Sequence, residues 1–71
     1  MCYLVVIEEG ETSFGTYISD LPGCVAVGET CEEVEQLIQE AIEFRLEDLR
    51  RTGAEIPKPL SRSQYIEVLA A

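Results

Sequence analysis

The stretch SDLPGCVAVGETCEEVEQLI, residues 19–38, holds a forced corner, a short apolar run and a helix start in close succession. Pro22 fixes its own φ and pushes Leu21 into an extended conformation, while Gly23 accepts a positive φ, so the chain must turn here. CVAVG (residues 24–28) then reads as a short strand that ends at Gly28. Thr30 is placed to cap the free N–H groups of a helix, and Glu33, three residues on, completes the pattern of a capping box. Glu32, Glu33 and Glu35 add negative charge at the positive end of the helix dipole.

Working outward, the apolar residues Val34, Leu37, Ile38, Ala41, Ile42, Leu46 and Leu49 recur at the spacing of one buried helical stripe, with Arg45 on its edge. Arg50 and Arg51 suit the last turn and Gly53 the C-terminal cap, so the helix is predicted over residues 31–52. Upstream, CYLVVIEE (2–9) reads as a strand buried on both faces. GETSFG (10–15) supplies a hairpin loop, and FGTYISD (14–20) resumes strand alternation, with Phe14, Thr16 and Ile18 set against Gly15, Tyr17 and Ser19. Downstream, IPKP (56–59) is an extended connector. QYIEVLA (64–70) reads as a last strand, with a short helix capped by Ser61 or Ser63 as the alternative. The expected fold is α+β, in the order β-β-β-α-β: one domain over residues 1–71, with a small antiparallel sheet and one long helix packed on one face.

A chain of 71 residues, 46% of them apolar, builds only a thin core. The expectation is therefore a homodimer or higher homo-oligomer. Its net charge of −9 is unevenly spread. Every charged side chain from Met1 to Phe44 is acidic, and all five basic residues, Arg45, Arg50, Arg51, Lys58 and Arg62, follow. Phosphate backbones are bound by clustered Lys and Arg, which argues against nucleic-acid binding by the N-terminal half. A basic protein partner suits the acidic half, and acid kept for solubility alone is the plainer reading.

Cys2, Cys24 and Cys31 are odd in number, with no signal-like stretch before them, which fits a reducing cytoplasm. The chain has no histidine and no close cysteine pair, so no zinc site and no cofactor are expected; Cys24 reads as a small core filler. No apolar run is long enough for a membrane span.

The ordered set DLPGC (20–24), GET (28–30), Glu32, Glu33, Ala41, Gly53 and IPKP (56–59) resembles the HicB family of antitoxins. In that family a strand ending in a D-L-P-G-C corner leads through a short strand to G-[DE]-T, a glutamate-rich helix, a glycine and I-P-x-P. The resemblance covers nearly the whole chain. It implies a partial ribonuclease H-like fold that neutralises HicA, a small basic toxin that cleaves messenger RNA, by covering the toxin's catalytic histidine and RNA surface. The longer family members carry a ribbon-helix-helix or helix-turn-helix module after the last strand. This chain stops before such a module, so no C-terminal DNA-binding domain and no DNA binding by this chain alone are expected.

Three functions compete. The first is a non-enzymatic protein-binding module of a type II toxin-antitoxin system. The second is a metal-dependent nuclease using strand-associated carboxylates such as Glu8, Asp20 and Glu67, whose spacing does not demand convergence. The third is a ligand-sensing regulatory domain, for which no glycine-rich phosphate loop is present. Under the first, Tyr17, Asp20, Glu29 and Glu32 are the partner-contact candidates. For Tyr17 a half-buried strand tyrosine is the commoner case, and the three acids read equally as a solvated face. Pro22, Gly23, Thr30, Glu33 and Gly53 are assigned to turns and caps.

Overall fold

The computed structural model describes residues 1–69. Three strands, β1 (Val6–Glu9), β2 (Phe14–Tyr17) and β3 (Val25–Gly28), precede one helix, α1 (Cys31–Thr52). The strands form an antiparallel sheet in the order β1-β2-β3, with Val6 opposite Tyr17 and Tyr17 opposite Val25. The β-β-β-α order and the helix bounds are as expected from the sequence.

Each signal in the opening stretch has its physical counterpart. The Cys24 N–H donates to the Leu21 carbonyl (3.2 Å) across Pro22 and Gly23, and Gly23 has φ 90°. Proline then a positive-φ glycine at the two central positions is the signature of a type II turn. Thr30 is extended (φ −129°, ψ 159°) and its hydroxyl accepts from the Glu33 N–H at 3.1 Å. Glu33 reaches back through Oε2 to the N–H of Glu29, one residue before the cap, also at 3.1 Å. At the far end Gly53 is left-handed (φ 75°), its N–H donates to the Arg50 carbonyl and that of Ala54 to Leu49. That pair of bonds is the Schellman ending, which satisfies two otherwise orphaned carbonyls.

The core lies between one sheet face and the apolar stripe of α1. Ile18, Leu21, Cys24 and Ile38 are buried together, with Tyr3, Val5, Ala26 and Ile42 packed on them. Val34 is fully buried above Gly28, where an added Cβ would lie 3.0 Å from both Val34 Cγ1 and Glu33 Cδ. Gly28 is therefore a packing glycine as well as a strand end. Gly28→Ala is expected to cost about 1 kcal/mol or more, since Val34 is enclosed and Glu33 is held in its cap. Urea unfolding monitored by circular dichroism checks this, and an unchanged midpoint would show that Glu33 swings away freely. Thr16 is also buried on this face, and its hydroxyl finds no hydrogen-bond partner among the described residues.

Three expectations are corrected. The first strand is shorter than residues 2–9 and only half-buried, because the sheet carries a helix on one face alone. The second strand ends at Tyr17, ahead of residues 18–20, which lead into the corner. The expected last strand does not form: residues 64–69 have no regular structure and lie exposed, and Ala70 falls outside the described residues. A strand needs a neighbour to bond its backbone, and residues 64–69 have none within the described part of this chain.

Candidate functional site

Two surfaces carry side chains that the core leaves free. The first is the outer face of α1. Glu32, Glu35, Gln36, Gln39, Glu40 and Glu43 line a shallow groove along it. These positions recur at three- and four-residue spacing, opposite the stripe that Val34 and Ile38 bury. One turn further on, Phe44 is 74% exposed beside Glu47, Asp48 and Arg51. Asp48 holds the nearby cations, with Arg51 Nη2 at 2.5 Å and Arg45 Nη1 at 4.0 Å, so basic charge stays at the C-terminal end of the helix. At the start of α1, Cys31 points its thiol to Glu35 Oε1 at 3.6 Å. Partial burial, then the Glu35 carboxylate, push the Cys31 thiol above its ordinary range. That is opposite to the lowered pKa a cysteine nucleophile needs.

The second surface is the sheet face turned away from α1. Cross-strand partners share a face, so Val6, Tyr17 and Val25 form one row and Glu8, Gly15 and Val27 the next. Tyr17, Val25 and Val27 are 41%, 65% and 69% exposed.

The candidates separate accordingly. Glu29 and Glu32 are exposed at the start of α1, and Tyr17 belongs to the sheet's outer face, across both layers from Glu32. Asp20 joins neither surface. Its carboxylate is half-buried and accepts from the Ser61 N–H (2.9 Å) and the Ser61 hydroxyl (3.1 Å), which ties the segment after the helix to the corner. The Tyr3 hydroxyl donates to the Pro57 carbonyl in a second tie of the same segment. Pro22, Gly23, Thr30, Glu33 and Gly53 occupy the turn and cap positions assigned to them. Sequence reasoning missed Phe44, although an aromatic residue off the apolar stripe was a readable signal. It also missed the Asp20–Ser61 tie, which no local pattern announces.

Among the described residues no three His, Cys, Asp or Glu side chains gather as a metal-holding group; Glu8 lies on the outer sheet face, Asp20 is engaged by Ser61, and Glu67 stands in the exposed tail. No helix of the described residues is long and apolar enough to cross a membrane.

Residues 3–70 match the model of the HicB-like antitoxins of bacterial toxin-antitoxin systems. The chain is 33% identical over 66 residues to an uncharacterised 14.9 kDa protein of the rep-hol intergenic region of Haemophilus phage HP1 (strain HP1c1). That alignment takes in 93% of this chain and 50% of the phage protein, so the chain spans about half the length of the curated relative it matches. No solved structure matches it. With a family match running from the first strand through the corner, the capped helix and the proline-rich connector, this chain belongs to the HicB-like antitoxin family.

Proposed function

We propose that this chain is a non-enzymatic antitoxin that binds and neutralises a small basic, HicA-like RNA-cleaving toxin in the cytoplasm, using the acidic outer face of α1. The observation that carries this reading is the groove of Glu32, Glu35, Glu40 and Glu43, a surface of one charge on a rigid helix. An RNA-cleaving protein must present positive charge to its substrate's phosphates. A helix bearing ordered carboxylates competes for that same surface. Electrostatic complementarity steers encounter and sets specificity, and apolar anchors supply much of the affinity. Phe44, exposed at the end of the groove, fits the anchor role, and Glu29 extends the acid beyond the helix start. Tyr17 is a contact candidate only for a partner that also reaches the other side of the sheet.

The test is direct. The small basic protein encoded beside this chain is expected to lose RNA cleavage when the chain is added in slight excess; full cleavage at large excess would sink the reading. Reversing Glu35 and Glu40 to lysine is expected to slow association about tenfold at low salt, a difference that shrinks as added salt screens it. Stopped-flow or surface-binding rates measure this, and unchanged association would move the contact off α1.

A further inference from the structure

We infer that residues 64–69 of one copy add as a strand to the free edge of β3 in a second copy, reciprocally, so that two chains complete each other's sheets. The inference rests on surfaces that the proposed toxin contact does not use.

The tail has strand chemistry, and among the described residues no strand pairs with it. Tyr65, Ile66, Val68 and Leu69 are 101%, 76%, 76% and 100% exposed. Four large apolar residues standing together in water are far from the scattered exposed hydrophobics of an ordinary surface. The ties of Pro57 to Tyr3 and of Ser61 to Asp20 fix where the tail leaves the domain. Beyond Ser61 every residue from Arg62 to Leu69 is exposed.

The two sheet edges are not equivalent acceptors. β1 ends in Glu8 and Glu9, charges of the kind that guard an edge against added strands. β3 is Val25-Ala26-Val27-Gly28, with no charge, no proline and two outward valines mostly exposed. Among the described residues only β2 pairs with it, on one side, which leaves its other edge without a neighbouring strand. The charges fit a like partner as well. Residues 60–69 carry one positive and one negative side chain, Arg62 and Glu67, so joining tail to edge brings none of the helix's acid together. Strand addition supplies backbone hydrogen bonds, and alternate side chains such as Ile66 and Val68 gain the apolar cover of Val25 and Val27.

The experiment uses the full chain in sedimentation velocity and light scattering, with a tail variant (Ile66→Glu with Val68→Glu) and an edge variant (Val25→Glu with Val27→Glu). All four sites are solvent-facing in the single chain, and circular dichroism confirms that α1 is retained. The unaltered chain is expected at twice the 7.9 kDa monomer mass, and each variant alone at the monomer mass under the same conditions. Mixing the two variants is expected to restore a mixed dimer, because the intact tail of the edge variant still fits the intact edge of the tail variant. A monomeric parent chain overturns the inference, including the case where hydrogen exchange shows the tail folded onto its own sheet. Dimers that survive in either variant, or a mixture that stays monomeric, overturn it as well. Toxin neutralisation can fail or succeed without altering any of these masses.

Discussion

Leu21→Ala is expected to lower the unfolding free energy by about 2–5 kcal/mol, the range for emptying an enclosed leucine site. Leu21 is 1% exposed and sits where the corner meets the core of Ile18, Cys24 and Ile38. The turn that holds it cannot easily collapse into the space left behind. Pro22 and Gly23 fix the backbone on one side, and the Cys24 N–H bonds the Leu21 carbonyl across it. A chain of this length has a total stability of only about 4–10 kcal/mol. The variant should therefore populate unfolded molecules at ambient temperature. Urea titration followed by far-ultraviolet circular dichroism, at one fixed protein concentration, measures the loss. Leu60→Ala, at a site 80% exposed, is the comparison and should shift stability by less than about 0.5 kcal/mol. A loss below about 1 kcal/mol in Leu21→Ala would place the centre of the core elsewhere.

Asp20→Ala is expected to cost about 1.5–3 kcal/mol, the range for hydrogen bonds to a charged group. Both carboxylate oxygens are occupied by Ser61, and removing them leaves a half-buried backbone N–H with no acceptor. The loss should be local in its symptoms. Amide exchange at Ser61 and proteolysis between residues 54 and 61 should rise, with the amides of α1 much less affected. Asp20→Asn, which keeps one acceptor oxygen, should fall between. Unchanged exchange at Ser61 in Asp20→Ala would return Asp20 to the pool of free acidic contacts.

What the sequence disclosed and what it withheld divide along a physical line. The corner, the capped helix start, the buried stripe and Gly53 are local: each depends on residues within four or five positions of one another. All were read at their observed places. The limits of the first two strands were not, nor was the absence of a strand over residues 64–69, because a strand exists only where a neighbour bonds it. Tyr65, Ile66 and Val68 have the composition of a strand, yet the described chain offers them no partner. The candidate site was legible in part. The acid at Glu29 and Glu32 is exposed as expected, whereas the engagement of Asp20 depends on Ser61, far along the chain, and Phe44 had to be seen off the stripe.

The ties that hold the segment after the helix also bear on the order in which the molecule assembles. The hairpins and α1 are built from neighbours in sequence, whereas Asp20 meets Ser61 across a separation of 41 residues and Tyr3 meets Pro57 across 54. Closing such long loops brings little reward until the sheet and helix are already packed. These ties therefore belong to the native side of the folding barrier. Loosening them in Asp20→Ala should speed unfolding and leave refolding nearly unchanged. The latch at Ser61 would then set how long each folded molecule lasts, while the hairpins and helix set how quickly a new one forms.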